Sequence, residues 1–186
     1  MEILNEIRLL NKHNKQMRFV YENSILLNDL FTDVISENDL DNKEVIEKIK
    51  NNDYIINDYE GFLKSLYSGK RSGYLTKYTI DELKKENITT YQVRGENIGF
   101  ALKPDKKDLD IISVHNNSPY KGIGDELMKS IISLGGNKLD HFDGYLSDYY
   151  SKHGFKEYDR LKWEDRYKPI DWDKNDGKPD VILRKL

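Results

Sequence analysis

The chain contains no cysteine, and it has no long apolar run. The first absence excludes disulfides, thiolate zinc sites and a cysteine nucleophile. The second excludes a membrane-spanning helix, which needs roughly 20 consecutive apolar residues. Residues 1–18 carry charges throughout and have no signal-peptide core. We therefore expect a soluble, cytoplasmic protein with no membrane partner.

An excess of charge of one sign is also missing. The 186 residues hold 30 Lys plus Arg against 33 Asp plus Glu, which gives a formal net charge of −3. This balance gives no support to nucleic-acid binding, which requires a basic patch or stripe. Ala101 is the single alanine, and Lys, Asn, Ile and Tyr are abundant, as in a protein from an AT-rich genome. Isolated Asn or Lys clusters therefore carry little information.

The N-terminal segment, residues 1–72, is predicted to be helical. Apolar residues recur there at helical spacing, and Asn42 and Glu44 precede a short helix that begins near Val45. Thr79 and Glu82 then form a capping signal for another short helix. The apolar stripes of residues 1–72 must be covered by the rest of the chain, by a second copy in a homodimer or by a host protein.

After residue 87 the pattern changes to short β-rich runs. Residues 89–93 and 98–102 flank a turn and predict a hairpin. The order predicted from there to the C-terminus is β-β-β-α-β-α-β-β, which indicates a mixed α/β (α+β) domain over residues 73–186. The later elements are predicted at residues 109–114, 124–134, 139–142, 147–153, 155–158 and 180–184.

The most informative segment is residues 118–128, SPYKGIGDELM, where a strand leads through a Gly-x-Gly turn into a helix. Glycines let backbone amides approach a ligand, and the first helical turn presents unpaired N–H groups to an anion such as pyrophosphate. A plain strand-to-helix connection is the structural alternative. The spacing fits neither a P-loop nor a dinucleotide fingerprint, because the glycines those motifs need are absent.

This turn resembles the acetyl-CoA signature of the GNAT superfamily of N-acetyltransferases, with Gly122 and Gly124 as its glycines after the strand pattern of Ile112 and Val114. Residues 148–155, DYYSKHGF, are similar to the second motif of that family. The likeness extends over residues 89–186 and is greatest to small GNAT-like domains of phages and mobile elements. It implies a central, splayed, mostly antiparallel sheet flanked by helices, with acetyl-CoA lying in the opening.

The resemblance also implies roles for individual residues. Tyr150 occupies the position of the general acid that protonates the departing thiolate, and Asp143 that of an Asn that contacts the cofactor arm. The strand containing Ile112 and Val114 would offer backbone groups to the pantetheine arm. The pyrophosphate would be held by the backbone amides of Lys121, Gly122, Ile123, Gly124 and Asp125.

Three positions depart from the family pattern: Pro119 stands where the signature has Gln or Arg, Asp125 adds negative charge near a phosphate, and Asp143 adds it beside the cofactor arm. For the general base, the sequence offers His115, whose ordinary pKa suits the task, or carboxylates earlier on the same strand, Asp110 foremost. The alternatives are structural: His115 would be a histidine at a strand end with a local hydrogen bond, and the carboxylates would lie on an exposed strand edge.

A metal is not expected at Asp140, His141 and Asp143, since neighbouring residues on a strand point to opposite faces.

The function indicated is acetyl transfer from acetyl-CoA to an amine by direct attack. The acceptor is unidentified, and a small molecule and a protein lysine both fit. The alternative is a non-catalytic GNAT-like phage or mobile-element protein that binds a host protein.

Overall fold

A computed structural model describes residues 42–69, 77–165, 168 and 177–186. The predicted elements at residues 1–41 lie outside this part. Five helices occur in it: α1 (Lys43–Lys50), α2 (Tyr59–Tyr67), α3 (Ile80–Lys85), α4 (Gly124–Ser133) and α5 (Tyr145–Lys152). Seven strands occur in it: β1 (Tyr54–Ile56), β2 (Thr89–Val93), β3 (Ile98–Asp105), β4 (Asp108–Asn116), β5 (Lys138–Phe142), β6 (Lys156–Leu161) and β7 (Val181–Lys185). No helix among the described residues is long and apolar enough to cross a membrane.

The strands form one sheet in the order β1-β2-β3-β4-β5-β7-β6. Every neighbouring pair is antiparallel except β4 and β5, which run parallel. Parallel neighbours need a crossover connection, and α4 supplies it. The predicted mixed α/β fold, with a mostly antiparallel sheet flanked by helices, is confirmed.

Helices cover both faces of this sheet. One face carries the larger apolar cluster, to which α1, α4 and α5 contribute buried side chains such as Ile49, Ile131 and Tyr149. The other face packs against α2 and α3 through a smaller cluster around Phe62 and Ile112. Two consecutive residues of β4, Ile111 and Ile112, thus enter different cores, as alternation along a strand requires.

The N-terminal segment was predicted to be helical, but its described part also supplies a strand. Tyr54 pairs with Val93, so β1 forms one edge of the sheet. A three-residue strand is too short to show a period of two, which is why the sequence did not reveal it. The proposed domain boundary between residues 72 and 73 falls among residues outside the described part and stays a prediction.

Two of the predicted helix starts differ in their caps. Thr79 and Glu82 form the expected capping box at α3, with each side chain bonded to the other residue's backbone N–H. At α1 the helix is present, but Asn42 makes no side-chain cap bond. The side chain of Asn42 instead contacts a distant part of the fold, described below.

Candidate functional site

The parallel strands β4 and β5 diverge along their length. They pair at Asp110 and Lys138, near the start of each strand, and no further pair between them follows in the described part of the chain. Next to this point β3 stays paired with β4 as far as Ile98 and Asn116. The opening between β4 and β5 therefore widens toward the end where β4 leads into α4. This confirms the splay that the GNAT resemblance implied.

A β-bulge lies in β4 beside this opening. Gly99 pairs with His115 and Ala101 with Ile112, so Ser113 and Val114 both stand opposite Phe100. Ser113 has a φ of 53°, which is rare for a residue with a side chain. Bulges of this kind redirect backbone groups and occur often beside active sites. The two residues predicted to serve the pantetheine arm, Ile112 and Val114, flank the strained residue.

His115 is fully buried, and both of its ring nitrogens are engaged. Nδ1 lies 3.0 Å from the Ser113 carbonyl oxygen and donates to it, and Nε2 lies 2.9 Å from the Ser65 hydroxyl, which donates in turn. Burial lowers the pKa of His115 to about 4. This geometry does not support the predicted role as general base. It gives His115 a structural role, since its bond to Ser113 stabilises the bulge.

The turn that follows β4 is organised by Asn116. Its side-chain amide donates to the Tyr120 carbonyl at 2.6 Å, and its oxygen accepts the Ser118 N–H at 3.0 Å. Gly122 then adopts a φ of +68°, and no atom lies within 4 Å of the position that a Cβ would take there. An L-residue is strained at such a φ. The glycine at this position therefore serves the backbone conformation and leaves the turn accessible.

This segment leads directly into the first turn of α4. The first N–H bonded into the helix is that of Leu127, which donates to the Ile123 carbonyl at 3.0 Å. The preceding N–H groups, those of Gly124, Asp125 and Glu126, have no intrahelical acceptor, as at every helix start. Together with the positive end of the helix dipole, they favour an anion.

Asp125 does not oppose an anion as strongly as the sequence suggested. Its carboxylate lies 2.6 Å from the Lys152 ammonium and 3.1 Å from Nε2 of His153, both at the end of α5. Burial alone would raise the pKa of Asp125, but the bonds to Lys152 and His153 outweigh it and lower that pKa. The charge of Asp125 is thus compensated by a neighbouring helix.

A second bond joins α5 to the same turn. The Tyr149 hydroxyl donates to the Gly124 carbonyl at 3.0 Å. Tyr149 is buried, and this bond gives its hydroxyl a defined partner in the first turn of α4.

Tyr150, the predicted general acid, is 1% exposed and packs against His141 and Phe155. Burial raises its pKa well above the ordinary value, and the charge of Asp140 raises it further. The phenol is therefore protonated at neutral pH, as an acid must be.

From the sequence, Asp140 was considered only as a possible metal ligand. Its position in the sheet also makes it a candidate for the general base. It is 5% exposed and follows Lys138 by two residues on β5, beyond the point where β4 and β5 pair. Residues i and i+2 of a strand share a face, so the side chain of Asp140 lies on the same face as Lys138. The sequence could not show this, because the splay depends on the pairing of two distant strands.

Two other predicted residues lie away from the turn. Asp110 is buried at the closed end of the opening, 3.3 Å from the Lys138 ammonium. A strand rises about 3.3 Å per residue, so Asp110 lies about 16 Å before His115. Asp143 is bound by the Arg160 guanidinium at 2.7 Å and by the Ser147 hydroxyl at 2.9 Å, and Arg160 foremost holds its pKa below the ordinary value. Its negative charge is therefore paired.

Beside Tyr150, the structure also places a buried histidine–arginine pair that the sequence did not indicate. His141 donates from Nδ1 to the Phe142 carbonyl at 2.7 Å and accepts from Nε of Arg184 at 2.8 Å. Burial lowers the pKa of His141 to about 4. A neutral histidine that accepts from arginine has no nitrogen left for a metal ion. Among the described residues no group of three His, Asp or Glu side chains is arranged to hold one.

Comparison with family models finds no match, and comparison with curated protein sequences finds none either. Several solved structures are similar. A GNAT-family acetyltransferase from Elizabethkingia anophelis, solved with acetyl-CoA bound, is 18% identical; the match covers 72% of this chain and 99% of that one, with a TM-score of 0.44. An acetyltransferase from Bacillus subtilis in complex with CoA is 18% identical over 72% of this chain and 97% of its own, with a TM-score of 0.46.

A third similar structure is the ribosomal-protein-S18-alanine N-acetyltransferase from Escherichia coli, which is 15% identical over 72% of this chain and 92% of its own, with a TM-score of 0.46. These proteins belong to the class that the two sequence motifs resemble. The similarity is low, and the proposal that follows rests on the chain's own strands, bulge and glycine turn.

Proposed function

We propose that the protein is an N-acetyltransferase that uses acetyl-CoA. The observation that carries the proposal is the divergence of β4 from β5, which opens directly onto a glycine turn at the start of α4. An opening between two strands suits a long, thin ligand arm, and a helix N-terminus suits phosphate. Coenzyme A combines both features in one molecule.

The residues present fit this co-substrate. The pantetheine arm would lie along β4 near the bulge at Ser113, and the pyrophosphate would accept from the amides of residues 121–125. Gly122 leaves the turn accessible, and Lys121 adds an exposed positive side chain. The pairing of Asp125 with Lys152 removes the repulsion that a free carboxylate would cause. Pro119 takes no part in this arrangement.

Acetyl transfer by direct attack requires three proton movements. The acceptor ammonium first loses a proton to a base, and the neutral amine nitrogen bonds to the acetyl carbon. The nitrogen then loses a second proton to solvent as the carbon–sulfur bond breaks, and the departing thiolate is protonated by an acid. We assign the acid to Tyr150. We assign the base to Asp140 in place of His115 and Asp110, because Asp140 is buried on the part of β5 that lies beyond its pairing with β4.

The acceptor is proposed to be an amine, carried by a small molecule or by a protein lysine. A cationic acceptor is compatible with a carboxylate base, because the ammonium would form an ion pair with the carboxylate when the acceptor binds. The cytoplasmic location, the relation to phages, and a second copy or host protein bound through residues 1–72 stay predictions.

Calorimetric titration with acetyl-CoA tests the proposal. We expect saturable binding by the unmodified protein and at least about tenfold weaker binding by Gly122→Asp, which places a carboxylate in the turn. Asp is among the residues that tolerate a positive φ, so the variant should fold.

Gly95→Asp is the matched control. Gly95 has a φ of +80° and the same free space around its Cβ position, but it lies in the β2–β3 turn. Both positions have a positive φ and receive the same added charge, but they lie in different turns. No detectable binding by the unmodified protein at millimolar acetyl-CoA would refute the proposal and favour the non-catalytic alternative. Equal loss in both variants would show that the turn is not the phosphate site.

A further inference from the structure

Asn42, at the start of α1, does not behave as its position in the helix predicts. An Asn at an N-cap ordinarily accepts a hydrogen bond from an N–H of the first helical turn. Here the backbone of Asn42 is itself helical, with φ −71° and ψ −4°, and the side chain makes no such bond. A residue that breaks a local rule in this way often serves a functional site elsewhere in the fold.

The side chain of Asn42 is instead bonded to the glycine turn. Its Nδ2 donates to the carbonyl oxygen of Lys121 at 2.5 Å, across 79 positions of sequence. Lys121 directly precedes Gly122, the residue of the turn with a positive φ. The contact therefore joins the first described residue of the chain to the proposed phosphate site.

Peptide geometry gives this bond a consequence for ligand binding. The Lys121 carbonyl and the Gly122 N–H belong to one planar trans peptide unit and point in opposite directions. Glycine permits this unit to rotate at little steric cost, because no Cβ restrains it. A rotated unit would present a carbonyl oxygen to the phosphate in place of an N–H. Holding the carbonyl of Lys121 therefore fixes the direction of the Gly122 N–H.

The helix that presents Asn42 is firmly packed. Val45 and Ile49 of α1 are 1% and 0% exposed in the larger core. The Asn42 carbonyl accepts the Ile46 N–H at 2.9 Å, and the Lys48 ammonium lies 3.1 Å from Glu96 in the β2–β3 turn. The donor is thus held by a rigid element, as a positioning residue must be.

We propose that Asn42 is a positioning residue of the phosphate site, which holds the 121–122 peptide in the orientation that binds the pyrophosphate of acetyl-CoA. The inference rests on the proposed function, since it concerns the same turn. It adds a residue from the N-terminal segment to a site whose residues, as predicted from the sequence, all lie within positions 110–150.

The test compares Asn42→Ala and Asn42→Asp by calorimetry with acetyl-CoA and by thermal unfolding. The Ala variant removes one hydrogen bond, and we expect an affinity about three- to tenfold weaker. The Asp variant replaces the donor by a charged acceptor facing a carbonyl, and we expect a loss of about tenfold or more. Its melting temperature should be kept or raised, because a carboxylate is favourable at a helix N-terminus.

Asn51→Asp is the matched control, since Asn51 is the exposed residue at the other end of α1. The same atoms change there, but a carboxylate at a helix C-terminus is unfavourable. Its melting temperature should fall while the affinity for acetyl-CoA stays that of the parent. A merely structural Asn42 would not give this opposite pattern.

The outcomes distinguish the positioning role of Asn42 from the proposed function. Parent-like affinity in both Asn42 variants would overturn the positioning role and leave the proposed function intact. Loss of helical circular dichroism in both would make Asn42 a structural residue and overturn it as well. Absence of acetyl-CoA binding by the unmodified protein would overturn the proposed function and, with it, this inference.

Discussion

At the scale of single residues, the acid–base assignment depends on two buried groups, Tyr150 and Asp140. Tyr150→Phe removes only a hydroxyl, and Asp140→Asn removes only a charge, so both variants keep the volume of the site. Proton transfer by a positioned group contributes about a hundred- to ten-thousand-fold in rate. We expect each variant to lose turnover of that order with acetyl-CoA affinity nearly unchanged, measured as CoA release with an acceptor found by screening polyamines, aminoglycosides and lysine peptides.

Tyr145→Phe is the control for this prediction. Tyr145 lies on the same helix as Tyr150, but it is 58% exposed. Its variant should keep the turnover of the parent. Full activity of Tyr150→Phe on a confirmed acceptor would refute the assignment of the acid, and full activity of Asp140→Asn that of the base. Tyr149→Phe is unsuitable as a control, because its hydroxyl bonds to the first turn of α4.

At the scale of elements, two buried histidines link pieces of the fold around the site. His115 joins β4 to Ser65 of α2, and His141 joins β5 to Arg184 of β7. Burial lowers the pKa of each to about 4, from about 6.5 in the unfolded chain. Between pH 6.5 and 4 the unfolded chain thus binds protons that the folded chain does not.

The free energy of unfolding should therefore stay level above about pH 6.5 and fall as the pH drops below it. The shifts correspond to about 3 kcal/mol for each histidine once the pH has fallen through the whole window. Urea denaturation at pH 7.5, 6 and 5 measures this fall, and the His141→Gln variant should show a shallower one. An equal free energy of unfolding at pH 7.5 and pH 5 would contradict the account.

Elements also show what the sequence could predict. The glycine turn, α4 and the strands around it were predicted close to their observed bounds, because glycine spacing and apolar periodicity are local signals. The bulge at Ser113, the pairing of Asp125 with Lys152 and the partners of His115 were not. Each of these depends on groups that come into contact only when distant elements pack together. No local sequence pattern predicts such contacts.

At the scale of the whole molecule, the described part of the N-terminal segment contributes to the fold and contacts the glycine turn. The described part of residues 1–72 supplies an edge strand, two packed helices and the contact of Asn42 with Lys121. Composition and charge gave no sign of this, since no charge boundary separates the halves of the chain. The packing of α1 in the larger core and the contact of the Tyr54 hydroxyl with that of Ser130, at 2.6 Å, bring this part of the segment beside α4.

The central claim is that acetyl-CoA binds with its pyrophosphate at the glycine turn, and amide NMR shifts test it most directly. Adding acetyl-CoA to the labelled protein should shift the amide signals of Gly122 and Gly124 most among the glycines. Gly135 and Gly136, past the other end of the ten-residue α4 and about 15 Å away, should move little. Unchanged signals at Gly122 and Gly124 under saturating acetyl-CoA, or shifts confined to other glycines, would contradict the account.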